Sequence, residues 1–415
     1  MKNGIMAVLA VLLSTVVGLA LAEAIFRFVM PPVPGSEGSV AEYIATTQRS
    51  PGAPRLFPAG YTAVFDIRGL YEGASKVDFR IGPSRFIPPD PPEGAKYKVL
   101  FLGGSVTEGI FLSPEQRWPA RLNEAGKIAT YNASMSQAGV LSHIATVKYL
   151  AERGDRFDLV VLATNHNDAS WSRRLSEIGF HYDPAQFPPG SVEIFKREFE
   201  QAIRPETTSL RTVAWVRHLM RVAKLSQAAT PGADGTKPHS IVVDGLRLSQ
   251  KGTQLLPRAP IGNCNGDDAP DRVSADIYGE WKEIFPKFRQ DVKQLLGADL
   301  LVVSEPAAFA APSESFYGSD LRVFLTCKTG EGVRAINLDD AAASQRERAR
   351  LYLDAARLAG AETFDLAAAM EPVADGPEGG SYFFDSIHPT PKGAEKFADL
   401  LRPVLNATLD RLHRN

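Results

Sequence analysis

Cysteine is nearly absent from this chain: Cys264 and Cys327 are the two among 415 residues. Two thiols cannot staple a small scaffold or build a four-cysteine zinc site, although they can form one disulfide in an oxidising compartment. A basic surplus is also missing. Lys plus Arg number 46 against 48 Asp plus Glu, giving a formal net charge of −2, so little is left to neutralise a row of phosphates. Nucleic acid is therefore not the expected partner. No internal repeat is visible. What remains is an ordinary globular composition, 44% hydrophobic and 23% charged with 34 Gly and 30 Pro, which excludes wholesale disorder, collagen and coiled coil. The length allows two to three domains and a large core.

Long apolar runs are scarce too, with one exception at the start. Gly4 to Ala22 are 19 consecutive uncharged positions. At 1.5 Å rise per helical residue they reach about 29 Å, roughly the hydrocarbon thickness of a bilayer. Lys2 precedes the run, and Glu23 and Arg27 follow it. The expectation is an uncleaved transmembrane anchor, because the run is longer than a usual signal core and continues as AIFRFVM. A cleaved signal ending at Ala20-Leu21-Ala22 is the alternative, and a buried core helix is a third. The first two place the remainder outside the cytoplasm, periplasmic or extracellular.

Residues 31–95 are rich in Pro, Gly and Ser and carry two strand-like pieces, Tyr61 to Ile67 and Val77 to Ile81, which suggests a linker and a small β-rich leader. From Lys96 onward, apolar runs of strand length alternate with amphipathic helical patterns, as in a parallel α/β sheet. The expected strands are Lys98 to Leu102, Thr130 to Ala133, Leu159 to Ala163, Leu300 to Ser304 and Glu362 to Leu366. Helix starts are expected at Ser113-Pro114-Glu115-Gln116 and at Thr390-Pro391, each offering a cap followed by Pro. The rhythm breaks over 173–295, read as an insertion between two core parts, 96–172 and 296–415. It holds an expected helix near Glu206 to Leu225, a turn-rich run over 229–240, and a helical stretch from Ser274 to Leu296 that Pro286 should kink or divide.

Three segments carry residues fit for chemistry. Gly103-Gly104-Ser105-Val106-Thr107-Glu108-Gly109 follows the first strong strand and puts a serine on a glycine-permitted turn at a strand's carboxyl end, where open α/β sheets bind ligands. The run fits neither phosphate-loop pattern. Thr164-Asn165-His166-Asn167-Asp168 follows the third strand and lies on the same edge, where an Asn amide can face a developing oxyanion. Such a run can equally be a turn, and His166 a packed histidine. Far downstream, Asp385-Ser386-Ile387-His388 sets a carboxylate three residues before a histidine, a spacing that can orient the imidazole toward a serine hydroxyl. The other histidines, His143, His166, His181, His218, His239 and His413, show no paired metal-ligand spacing, so no metal and no organic cofactor are expected.

Taken in order, these segments together with Asn132 to Gly139 resemble the SGNH hydrolase superfamily, also called GDSL-type esterases and lipases. The resemblance covers about Lys96 to Asp168 and Leu300 to Leu405. It implies a three-layer α/β/α sandwich with a parallel, flavodoxin-like sheet. It also implies roles: Ser105 as nucleophile, His388 as general base, Asp385 as its supporting acid, Asn167 as oxyanion donor, and a further backbone N–H from Gln137 or Gly139. Three departures stand out. The family's Gly-Asp-Ser reads Gly103-Gly104-Ser105, its Gly-x-Asn-Asp reads Asn165-His166-Asn167-Asp168, and its oxyanion glycine falls on Gln137, with Gly139 the nearest glycine. The implied activity is hydrolysis of O-acyl, most simply O-acetyl, esters on a carbohydrate or envelope polymer. An O-acyltransferase with the same triad, a lysophospholipase or lipid esterase, and an inactive glycan-binding protein are the alternatives.

Overall fold

In the computed structural model the described residues are 56–66 without Pro58, 76–168 without Gln137, 240–243, 246–249, 253–255, 273–308 without Ser274, 315–317, 326–329, 332–335, 338–374, 381–383, 387–412 and 414. To these are added Ser14, Val17, Gly18, Leu21, Glu23, Ala24 and Ile25, all helical. Two compact units are present. One comprises 1–46 and 200–238, and the other, which holds everything that follows, comprises 47–199 and 239–415. Most of the apolar run 4–22 lies outside the described residues, as do the expected helix near Glu206 to Leu225, nearly all of 229–240, and Cys264. Among the described residues no helix is long and apolar enough to cross a membrane.

A leader hairpin comes first: β1 (Thr62–Asp66) pairs antiparallel with β2 (Lys76–Arg80). Strict alternation along β2 buries Val77 and Phe79 and exposes the residues between, the period of a one-sided strand. Phe79 packs edge-on against Phe57 with ring centroids 4.9 Å apart.

The central sheet is built from β3 (Tyr97–Gly103), β4 (Ile128–Asn132), β5 (Leu159–Ala163), β9 (Asp299–Val303) and β13 (Glu362–Phe364). Its order is β13-β9-β5-β3-β4, and every neighbouring pair is parallel. In order of appearance this is 2-1-3-4-5, the flavodoxin-like arrangement. The connection reverses between β3 and β5. A crevice must open beyond their carboxyl ends, because the chain leaves β3 toward one side and β5 toward the other.

Both faces of this sheet are covered, which explains why its strands read as unbroken apolar runs. Val99, Phe101, Val161, Leu301 and Val303 point to one face and pack with Leu366 and Met370 of α5 (Leu366–Ala374) and Phe397, Leu401 and Leu405 of α6 (Pro391–Leu412). Leu100, Leu102, Val160, Leu162, Leu300 and Val302 point to the other. They meet α2 (Val140–Glu152), α3 (Ala275–Asp291) and α4 (Leu338–Leu358), mainly through Ile144, Val147, Trp281, Phe285, Phe288 and Tyr352. Burial of side chains of this size contributes about 1.5–3 kcal/mol each. The remaining helix, α1 (Ser105–Glu108), is a single turn after β3.

The structure departs from expectation at several points. The cap at Ser113 starts only a 3₁₀ turn, Pro114–Gln116, although Gln116 Oε1 does accept from Ser113 N–H (3.3 Å) and Oγ (2.6 Å). Arg117 turns extended and Trp118 precedes Pro119, a position that disfavours helical backbone, so the helix cannot continue. Pro286 does not divide its helix. The α-turns run through it to Asp291, and the change comes at a π-helical turn, Val292–Leu296, that ends at left-handed Gly297. The stretch read as an insertion thus ends in a helix that belongs to the sandwich core. Short antiparallel pairs not foreseen in the sequence join β6 (Ser240–Val243) to β7 (Leu246–Ser249), β8 (Thr253–Leu255) to β10 (Ser315–Tyr317), and β11 (Thr326–Thr329) to β12 (Gly332–Ala335).

Candidate active site

Ser105 is the first residue of α1, directly beyond the carboxyl end of β3. Glu108 N–H and Thr107 N–H return to Gly104 O (2.9 and 3.2 Å), and Gly109 closes the turn at φ 64°, a left-handed conformation that favours glycine. Gly103 allows this sharp exit: a Cβ there would stand 2.3 Å from Thr107 Oγ1 and 2.8 Å from Ala163 O. Trp118, fully buried, donates its indole N–H to Val106 O (3.1 Å) and packs edge-on to Phe101, tying the turn to the core.

His388 approaches from the opposite end of the sequence. Its Nε2 lies 2.7 Å from Ser105 Oγ, across 283 positions of chain. The segment carrying it is anchored just beyond by Thr390, whose N–H donates to Tyr382 O (2.9 Å) and whose Oγ1 donates to Ser381 O (2.6 Å). Thr390 also caps α6, accepting from Gly393 N–H at 3.2 Å, as the Thr-Pro pair implied. The Phe111 ring stands edge-on to the imidazole, centroids 5.8 Å apart. Asp385 lies outside the described residues.

Asn167 comes from β5. A single helical turn, 165–168, follows Thr164 and projects the Asn167 side chain over Gly104. One N–H of its amide donates to Ala138 O at 2.9 Å. An amide nitrogen carries two hydrogens, so among the described residues one donor is left to face a ligand beside Ser105. Gly139 is the extended residue before α2, on the same loop. Gln137 lies outside the described residues.

Two buried carboxylates, given no role from the sequence, hold this loop at its two ends. Glu108 Oε2 accepts from Ser136 N–H (2.9 Å) and Ser136 Oγ (2.6 Å). Asp168 Oδ1 accepts from Val140 N–H (2.7 Å), the first amide of α2, and its Oδ2 accepts from Thr164 Oγ1 (2.5 Å) and Tyr352 OH (2.7 Å). Burial pushes Asp168 up to about 6, with these hydrogen bonds pulling the other way. Nothing in the spacing of either residue signals such a partner. Both contacts join segments about 28 positions apart.

His166 is a buried, packed residue. It is 5% exposed; Arg348 donates to its Nδ1 (2.7 Å) and its Nε2 faces Pro306 O (3.2 Å), so the proton sits on Nε2. Burial first, and the Arg348 charge second, hold its pKa well below the ordinary histidine value. Glu305, beyond β9, accepts from His166 N–H (3.3 Å) through Oε2, and burial pushes its carboxyl up to about 8. Among the described residues no group of three or more His, Cys, Asp or Glu is placed to hold a metal ion.

Neither a family model nor a curated protein matches the chain. Several solved structures do align with it. One is a member of the lipolytic G-D-S-L family from Veillonella parvula, with 10% identity, TM-score 0.36, and 74% of this chain and 98% of that one covered. Another is a catalytic mutant of an acetylxylan esterase from Geobacillus stearothermophilus, with 12% identity, TM-score 0.35, and 75% and 95% covered. A third is an extracellular lipase from Streptomyces rimosus, with 12% identity, TM-score 0.36, and 75% and 99% covered. The solved structures to which the chain is similar thus include a lipolytic G-D-S-L family member, an acetylxylan esterase and a lipase.

Proposed function

We propose that the chain is a serine ester hydrolase of the SGNH type, acting outside the cytoplasm on O-acyl esters of a carbohydrate or envelope polymer, with acetyl as the simplest acyl group. The observation that carries the reading is the 2.7 Å approach of His388 Nε2 to Ser105 Oγ at the carboxyl edge of a flavodoxin-like sheet. A serine hydroxyl is a weak nucleophile until a positioned base takes its proton, and this pair meets that geometric requirement.

In the proposed reaction Ser105 Oγ attacks the ester carbonyl carbon while its proton passes to His388 Nε2. The carbonyl oxygen becomes an oxyanion, stabilised by Ser105 N–H, the second hydrogen of the Asn167 amide, and a backbone N–H of Gln137 or Gly139. Collapse breaks the bond to the alcohol oxygen, which takes the proton back from His388. Water then gives a proton to His388 and attacks the acyl carbon; collapse breaks the bond to Ser105 Oγ, which takes that proton from His388, and the acid leaves. Asp385 is assigned the role of holding the imidazole in the correct tautomer, with the hydrogen on Nδ1.

The extracytoplasmic location, and a membrane anchor in particular, rest on the uncharged run Gly4 to Ala22. The carbohydrate ester follows from that location, and acetylated xylooligosaccharide belongs in the assay panel beside aryl acetates and long-chain acyl esters. The experiment is fluorophosphonate labelling of the purified chain with peptide mapping, followed by product analysis with and without added glycan. Labelling at Ser105 with release of free acid supports the reading. Acyl transfer to glycan would replace hydrolase by transferase, and absence of labelling at Ser105 would overturn it.

A further inference from the structure

Glu108 ties the segment that carries the proposed third oxyanion donor to the nucleophile's own turn. Glu108 is the last residue of α1, three positions after Ser105, and is fully buried. Its backbone N–H donates to Gly104 O (2.9 Å), fixing it to the nucleophile turn. Its Oε2 simultaneously accepts from Ser136 N–H and Ser136 Oγ. Ser136 is one position before Gln137 and three before Gly139, so any shift of this anchor is passed directly to the donor.

The surroundings keep that carboxylate in place. Arg117, 1% exposed, donates through Nε to Gly109 O (3.1 Å) and through Nη1 to Pro88 O (2.5 Å), and its charge and that of Glu108 act on one another. Neighbouring backbone is fixed as well: Met135 N–H donates to Gly103 O (3.0 Å), and Asn132 Nδ2 donates to Thr107 O (3.0 Å). Charge-assisted bonds to a buried carboxylate are about twice as strong as neutral ones, which suits a joint that must hold to a fraction of an ångström.

We infer that Glu108 is a positioning residue of the esterase reaction, holding the Ser136 to Gly139 backbone at a fixed distance from Ser105 so that its N–H meets the oxyanion. This rests on the proposed esterase reading, and goes beyond it by assigning a function to a residue outside the triad and the oxyanion donors. Such a residue acts on the transition state and leaves the ground-state complex nearly untouched.

The test uses the full chain with Glu108→Gln, Glu108→Leu and Ser136→Ala, read by kcat and KM on an aryl acetate, by affinity for a boronic acid that mimics the tetrahedral state, and by amide hydrogen exchange. Glu108→Leu keeps the volume and removes the acceptor; it should lower kcat and boronate affinity together by about 10- to 100-fold with KM within about twofold. Glu108→Gln, whose carbonyl can still accept from Ser136, should retain most of the activity. Exchange over 136–140 should quicken in Glu108→Leu, while the sheet strands keep their protection. If Glu108→Leu does not fold, Ser136→Ala decides: it removes the Oγ donor to Glu108 and should lower kcat and boronate affinity together with KM within about twofold, and unchanged kcat in this variant would overturn the inference. Unchanged exchange over 136–140, or a change in KM with kcat intact, would also overturn it. Exchange needs no substrate, so a chain that hydrolyses no ester yet loosens at 136–140 would refute the esterase and leave the Glu108 joint standing.

Discussion

A Cβ on Gly104 would lie 1.9 Å from Nδ2 of Asn167, so the amide of Asn167 occupies the space that any side chain at position 104 would need. This gives a physical reason for the departure from Gly-Asp-Ser: in this chain the position before Ser105 must be glycine for Asn167 to reach its place.

Gly104→Ala should therefore act through Asn167. The atom it meets is the end of a side chain, so the fold can yield, but only by displacing the amide from Ala138 O and from the oxyanion position. We expect kcat to fall about 10²- to 10³-fold, as for removal of an oxyanion donor, with melting temperature little changed. Asn167→Ala should cost the same, and the double variant no more than either. Additive losses would separate the two residues. Gly104→Asp, which sets the Gly-Asp-Ser of the pattern the sequence resembles, should be at least as damaging as Gly104→Ala.

His388→Ala should remove nearly all ester hydrolysis, since it takes away the base that stands at hydrogen-bond distance from Ser105. Asp385→Ala should be milder, because it alters the orientation of the base and leaves the base present. Rates of acyl-enzyme formation on an aryl acetate measure both. Equal losses for the two variants would give Asp385 a larger share than the one proposed here.

Much of this could be read without coordinates, for identifiable reasons. Leu159 to Ala163 was legible as a buried strand because both its faces are covered, leaving a continuous apolar run. Ser105 and Asn167 could be placed on one sheet edge because turns at strand ends are local and leave a motif, and His388 stood out by its Asp-x-x-His spacing ahead of a Thr-Pro cap. Glu108, Asp168 and Glu305 were not, since a buried carboxylate takes its meaning from a partner brought near by folding, as Val140 is to Asp168. The 3₁₀ turn at Pro114–Gln116 shows the converse. Its cap is correct locally, and the following Trp118-Pro119 overrides the helix it would start.

Glu305 makes stability depend on pH. Its carboxyl rises from an ordinary 4.5 to about 8 in the fold, so between those values the native chain holds a proton that the unfolded chain has released. Stability should fall as pH rises through that window, by up to about 1.4 kcal/mol per pH unit from this group, and level off above about 8. Asp168 adds the same sign up to about 6, whereas His166, depressed by burial, opposes it below the ordinary histidine value of 6.5. Both are largely spent above about pH 7, so the interval from pH 7 to 8 carries mainly Glu305, read as the difference from a Glu305→Gln variant. Chemical denaturation across it should show a decline in the wild-type chain that Glu305→Gln abolishes. An identical slope in the variant would mean that Glu305 is ionised in the fold.

Gly393 tests whether the placement of His388 depends on the start of α6. A Cβ at this position would stand 1.9 Å from Tyr382 O and 2.9 Å from Tyr382 C, and here the obstacle is backbone, which no rotamer change can clear. The same Tyr382 carbonyl accepts from Thr390 N–H, two residues after His388. Gly393→Ala must push the 381–383 segment away from the helix or break the Thr390 anchor, and either movement shifts the imidazole relative to Ser105. We expect a loss of about 1–3 kcal/mol, the usual range for overpacking, together with a fall in kcat larger than that instability explains at a temperature where the variant stays folded. Thr390→Val is the companion variant. It keeps the shape and the backbone contact to Tyr382 while removing the cap and the Oγ1 bond to Ser381, at about 1 kcal/mol. If Thr390→Val loses stability with kcat intact and Gly393→Ala loses both, the close approach of Gly393 to Tyr382 is what sets the reach of His388; if both retain full kcat, the loop is held by other contacts.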